Sequence, residues 1–311
     1  MLIIKKSLLA SIMLFIVSFS FLRTMLLGLG PMLELMDSML MAMGLAVIYY
    51  SIRCFGTKED ILKWFLVPAC LNIGFIFIQA FYPDKILLRG TEVCGFLGNA
   101  GLTATFLGMT TPIFIKYFKL GILPLLVAII LCKGLVGLLA FAVSFIIYFW
   151  NTKRILAYSL MAVTMMGFSF VAIQNFGQFL LRIVYMVGSA DGAMHHPFLG
   201  WGMGTFVSVV SKIPSADSYY FGIPFNSPNH MMNHPHNEFI FGWWNFGISF
   251  MVCMILYVVM ILKSKTRGTA FSVLLCSLCV MMFYFFTPPT FFLTALALGI
   301  HENETGGLYG T

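Results

Sequence analysis

"GILPLLVAIILCKGLVGLLAFAVSFIIYFW", residues 121–150, carries one charged side chain, Lys133. Two apolar runs, 121–132 and 135–150, flank that lysine, and neither alternates apolar with polar residues. A membrane-crossing β-strand would alternate over about ten residues. A helix satisfies every backbone N–H and C=O within itself, which hydrocarbon demands. The stretch therefore reads as two membrane helices joined by a tight connection.

The remaining sequence extends that pattern. The 311 residues are 60% hydrophobic and 9% charged, with 33 Phe and 22 Met. A soluble domain is about a quarter charged, so composition points to an integral membrane protein. A helical span needs about 20 mainly apolar residues. Hydropathy places spans near 7–22, 32–52, 61–81, 94–115, 121–132, 135–150, 155–173, 238–262 and 269–286. A last apolar stretch, 290–300, is read either as a tenth span or as a surface segment. The expected fold is all-α: a single polytopic membrane domain over 1–311, with about 9–10 transmembrane helices and a long, partly folded external loop between helices 7 and 8. The N-terminal "MLIIKKSLLASIMLFIVSFSF" has a basic start but no small-x-small cleavage site, so it is read as a retained first span.

The net charge of +7 is explained by topology, with no need for nucleic acid. With a cytoplasmic N-terminus, Lys5, Lys6, Arg53, Lys58, Lys63, Lys116, Lys119, Lys153, Arg154, Lys263, Lys265 and Arg267 fall inside. Arg23, Lys85, Arg89, Lys133, Arg182 and Lys212 fall outside. Twelve against six is the direction that the positive-inside rule requires. The segment 174–237 then lies on the outer face with five of the six His. Loops this long between packed helices are functional or disordered, and "PFLGWGMGTFVSVV" and "YYFGIPF" are too apolar and aromatic for disorder.

Chemistry concentrates at "NHPHNEFIFGWWNFG", 233–247. Proline favours the first turn of a helix, so a helix is expected to begin near Pro235, capped by His234 or Asn233. His236 and Asn237 would then sit at the positive end of the helix dipole, which disfavours imidazolium and favours an anion such as phosphate. The bland alternative is that they only satisfy helix-end hydrogen bonds. Lys133 sits where a charge is costly without a partner. Arg182, in "GQFLLRIVYM", offers a bidentate fork for phosphate. Either cation could instead snorkel to lipid headgroups. Glu34 and Asp37, near the outer end of the second span, could pair with Arg23. Gly200, Gly202 and Gly204 alternate in "HHPFLGWGMGTF", 195–206, without a phosphate-loop signature. His195, His196, His230, His234 and His236 could gather around zinc, but no HExxH motif occurs. The seven Cys (54, 70, 94, 132, 253, 276, 279) show no disulfide framework, and the Cys276-x-x-Cys279 pair inside an apolar run reads as packing.

Four stretches, in order, resemble motifs of the O-antigen ligase and O-antigen polymerase family. They are "GFLGNAGLTATFLG" (95–108), "LCKGLVGLLAF" (131–141), "LLRIVYM…HHPFLGWGMGTF" (180–206) and "HPHNEFIFGWWNFGI" (234–248). The last two are the specific ones, and the likeness covers roughly residues 95–262. Departures are Gly101 in place of a second Asn, and Cys132–Lys133 in place of Ser–Arg, which keeps the charge and loses the fork. The chain also has fewer spans than the family's usual twelve or so.

The resemblance implies a GT-C-like, metal-independent membrane glycosyltransferase that needs no cofactor. It would act on the outer face of a bacterial inner membrane. The donor would be an undecaprenyl-pyrophosphate-linked oligosaccharide, and the acceptor lipid A-core or another lipid-linked glycan. His236 would be the base, with Asn237 and Glu238 orienting it or the acceptor. Arg182 and Lys133 would hold the pyrophosphate. Gly200, Trp201, Gly202, Gly204 and Asn99 would shape the substrate site, and Trp243 and Trp244 are further candidates to stack on sugar rings. Rival readings are a transporter or flippase of lipid-linked glycan, a zinc hydrolase, and a catalytically inactive relative.

Overall fold

The computed structural model describes residues 6–29, 32–55, 58–82, 93–150, 153–174, 176–210, 235, 237–264, 266–283 and 288–305. Every regular element among them is helical. In chain order these are α1 (Lys6–Leu27), α2 (Met32–Phe55), a 3-10 segment Glu59–Phe65 leading into α3 (Leu66–Phe81), α4 (Ala100–Tyr117), α5 (Ile122–Leu131), α6 (Leu135–Trp150) and α7 (Arg154–Gln174). They continue with α8 (Phe176–Met194), α9 (Phe206–Val210), α10 (Glu238–Phe246), α11 (Ile248–Leu262), α12 (Thr269–Phe283) and α13 (Pro288–Glu304). One helical run, Glu59–Phe81, is by itself long and apolar enough to cross a membrane, and several others are shorter apolar helices.

Three expectations are corrected. The run 238–262, read as one span, is two helices broken at Gly247. Hydropathy is continuous there, but Gly247 adopts φ 83°, a left-handed value that an α-helix cannot contain. The segment opening the external loop is the 19-residue α8, whose helical pattern was masked by Arg182, Ser189 and Asp191. The run expected to start at 94 becomes α-helical only at Ala100. Gly98, at φ 68°, ends the preceding 3-10 turn, and the Asn99 side chain accepts the Leu102 N–H as an N-cap.

The chain forms two compact units. One comprises Met1–Val47, Asn175–Ser264 and Met281–Phe285. In it α1 packs on α10 and α11, and α8 packs on α10. The other comprises Ile48–Gln174, Lys265–Val280 and Phe286–Thr311.

The second unit is built around α4, whose residues Thr103–Ile115 are all buried. Its closest neighbour is α6, and the reason is side-chain size. A Cβ on Gly137 would lie 2.2 Å from the Ala104 carbonyl oxygen, and one on Gly108 would lie 2.3 Å from that of Gly137. Small residues let two helices approach backbone to backbone, the device by which apolar helices associate where hydrophobicity gives no net drive. Cys276 belongs to the same packing. It is buried, with its Sγ 3.1 Å from Ser144 Oγ of α6.

A buried polar cluster ties the second half of α2 to α13. Arg53 pairs with Glu302 at 2.7 Å, Tyr49 donates to Glu302 at 2.5 Å, and Asn303 donates to the Ile52 carbonyl at 2.9 Å. Its signal was in the sequence, as Tyr49 and Arg53 lie four apart and so share a helix face.

Replacing Gly137 by Ala should destabilise the protein by about 1–3 kcal/mol, the usual cost of overpacking. Thermal unfolding in detergent checks this against Gly44→Ala, where no atom lies within 4 Å of the new Cβ and no loss is expected.

Candidate functional site

The first unit gathers the most specific sequence motifs. After α8 the chain turns sharply, with the amides of His195 and His196 bonding to the carbonyls of Gly192 and Ala193. The glycine turn that follows is stitched to the break between α10 and α11. Trp201 N–H donates to the Trp244 carbonyl at 2.7 Å, and Ile248 N–H donates to the Pro197 carbonyl at 2.7 Å. Helix ends leave their last carbonyls and first amides without intrahelical partners. By breaking the helix, Gly247 frees one of each for the turn.

Approach this close excludes side chains at two positions. A Cβ on Gly200 would lie 2.4 Å from the Trp244 oxygen, and one on Gly247 would lie 2.0 Å from the Phe198 oxygen. Both also adopt positive φ, 65° and 83°, which glycine alone tolerates cheaply. Gly202 and Gly204 share that conformation, and Thr24 of α1 occupies the space beside Gly202.

The first helix supplies the clamp. Arg23 donates through Nη1 to the Leu199 carbonyl at 2.7 Å and through Nη2 to that of Gly200 at 2.8 Å. One turn earlier, Ser20 Oγ donates to the Asn245 carbonyl at 2.9 Å. Pairing with Arg23 was one of two readings of Glu34 and Asp37, whose side chains lie outside the described residues. Sequence reading missed this role, although Ser20, Arg23 and Thr24 fall on one helix face of an otherwise apolar span.

Aromatic residues fill the interior of the junction. Trp244 is fully buried, with Trp201 stacked at 5.9 Å and Phe206 edge-on at 4.9 Å. Trp201 Nε1 donates to the Gly192 carbonyl at 2.8 Å, and Trp243 Nε1 donates to that of Pro197 at 3.3 Å. The three tryptophans named as sugar-stacking candidates therefore serve the packing of the turn. Trp244 Nε1 and Asn245 Oδ1 are buried with no hydrogen-bond partner, each at a cost of about 1–3 kcal/mol.

The predicted residues fall as follows. Asn237 is the N-cap of α10, which begins at Glu238 rather than near Pro235. Its Oδ1 accepts the N–H groups of Phe239 and Ile240, each at 3.0 Å, and its Nδ2 donates to the Met282 carbonyl at 3.1 Å. Asn is among the strongest N-caps, and its extended backbone starts the helix three residues later than Pro235 suggested. Glu238 is buried in the first turn, where the helix dipole favours an anion. Arg182 is a partly buried residue of α8. His236, the expected base, lies outside the described residues, as do His230 and His234.

His195 and His196 are exposed at the turn, with the His196 ring edge-on to Trp201 at 4.1 Å. Burial, and then the nearby Arg23 and His195 charges, lower the His196 imidazole's affinity for a proton. Among the described residues no three His, Cys, Asp or Glu side chains converge as metal ligands.

Lys133 and Asn99 belong to the second unit. Asn99 is committed to capping α4. Lys133 is exposed at the α5–α6 turn with φ 52°, the only non-glycine residue at positive φ among those described.

No protein-family model, curated protein or solved structure matches the chain.

Gly247→Ala should cost about 1–3 kcal/mol through strain and overlap with Phe198. Hydrogen exchange should show the amides of Trp201 and Ile248 losing protection first. Arg23→Ala should loosen the same turn while leaving α4 and α6 as protected as before.

Proposed function

We propose that the chain is a multi-pass membrane glycosyltransferase. It moves a glycan from an undecaprenyl-pyrophosphate donor to a lipid-linked or lipid A-core acceptor on the external face of a bacterial inner membrane. The observation that carries this reading is the joining of two separate motifs, 195–206 and 237–248, by main-chain bonds in one unit that also holds Arg182. Their packing explains why the motif glycines must be glycines. The membrane part is supported by composition and by large apolar side chains left exposed on helices, among them Phe15, Leu26 and Ile155 at 70%, 74% and 84%. A soluble monomer tolerates few such patches.

Pyrophosphate is already a good leaving group, so the protein's work is to provide a base, positive charge and orientation. In this reading His236 accepts the proton of the acceptor hydroxyl as its oxygen attacks the anomeric carbon. The bond from that carbon to the pyrophosphate oxygen breaks, and undecaprenyl pyrophosphate departs as the anion. Arg182 stabilises the charge that grows on it. Asn237 holds the start of α10.

Purified protein in nanodiscs, supplied with undecaprenyl-pyrophosphate-linked repeat units, should extend or transfer the glycan. The activity should persist in EDTA and fall by at least about 100-fold in His236→Ala, the usual worth of general-base catalysis. Ladders of lipid-linked glycan would mark a polymerase, and a single shift of lipid A-core a ligase. Absence of transfer to either acceptor by folded protein would refute the proposal.

A further inference from the structure

The apolar stretch 290–300, which the sequence leaves open between a tenth span and a surface segment, lies within α13. A helix resting on a membrane surface turns a charged or polar face to the water. Residues 288–300 of α13 contain no charged side chain. Phe291, Phe292 and Leu298 are among the side chains left exposed or half-buried there, and all three suit lipid. The 17 residues of α13 extend about 25 Å at 1.5 Å each. Helical spans begin at about that length.

Within the second unit α13 lies against α12 in antiparallel register. The Glu304 carboxylate is 3.4 Å from where a Cβ on Gly268, immediately before α12, would stand. The Phe271 and His301 rings are 5.7 Å apart, and the Ser277 and Thr294 hydroxyls 3.0 Å. These contacts climb α12 as they descend α13, whereas a segment lying across the membrane surface would meet α12 at one level alone. The far end of α13 is fixed among residues that the charge distribution assigns to the cytoplasm. Glu302 pairs with Arg53, and Glu304 faces Gly268, next to Arg267. Glu59, which faces the same Gly268, pairs with Lys116.

We propose that α13 is a tenth membrane span. It runs antiparallel to α12 and returns the chain, at Glu304, to the side on which α12 begins, which the positive-inside rule makes the cytoplasm. The proposal rests on the multi-pass part of the reading above and not on the transferase chemistry.

The test places two cysteine probes, one at a time, in the full chain carrying Cys54→Ser and Cys70→Ser, which removes the exposed native thiols. Lys263→Cys marks the connection before α12 and Glu304→Cys the end of α13, both at exposed positions. Cells are treated with a membrane-impermeant maleimide, intact or permeabilised, and their membranes are then washed at alkaline pH. The chain without either probe sets the background. Both probes should label only after permeabilisation, in protein that the wash leaves in the membrane. Should Glu304→Cys not accumulate, a cysteine appended after Thr311 reports the same side. Labelling of the two probes from opposite sides overturns the proposal and leaves the multi-pass reading standing. Labelling of both in intact cells supports the span and contradicts the external site of the transferase reading. Protein stripped from the membrane by the wash overturns both.

Discussion

The break at Gly247 is the constraint on which the first unit depends. Because α10 stops there, the Trp244 carbonyl and the Ile248 amide lose their intrahelical partners and take the turn 197–205 instead. Everything nearby follows from that pair of bonds. Gly200 must lack a side chain for the backbones to meet, and Trp201 is drawn onto Trp244. Arg23 then satisfies the turn's outward carbonyls from α1. A loop that would otherwise spend conformational entropy over several residues is held as a fixed edge of the first unit.

The second unit reaches order by a different route. Its centre is a helix buried on all sides, approached by a partner whose glycines remove every obstacle. Several polar groups within it are locally satisfied, as Thr105 bonds back to the Gly101 carbonyl and Ser144 to that of Ala140, while Thr111 Oγ1 is buried with no hydrogen-bond partner. Charges are confined to its ends, as the Arg53–Glu302 pair and the Glu59–Lys116 pair show. Breaking the Arg53–Glu302 pair by removing one partner would leave a buried charge uncompensated, which is strongly destabilising.

Much of the helical architecture was legible in the sequence, because apolar length is a one-dimensional property. The Lys133 connection between α5 and α6 was read directly, and so was the packing role of Cys276. What escaped depends on distant contacts or on backbone angles. The helix break inside 238–262 is silent in hydropathy, since Gly247 lies among residues as apolar as those on either side. Helix α8 was hidden by its polar residues. The candidate site was legible as a set of motifs, while individual roles were not. Asn237 was singled out as a site residue, and an Asn beside a helix start looks the same whether it orients a substrate or caps the helix; its contacts here are those of a cap. Arg23 went unnoticed as a clamp because its acceptors lie some 176 residues further along the chain.

The transferase reading rests on the sidedness that the charge distribution predicts, with the glycine turn outside and Lys119 in the cytoplasm. Thiol labelling in intact cells with a membrane-impermeant maleimide measures this directly, using His195→Cys and Lys119→Cys, both at exposed positions, against the background of the native cysteines. The account predicts that His195→Cys reacts in intact cells and that Lys119→Cys reacts only after the membrane is permeabilised. Labelling of both from the same side, or the reverse order, would contradict it.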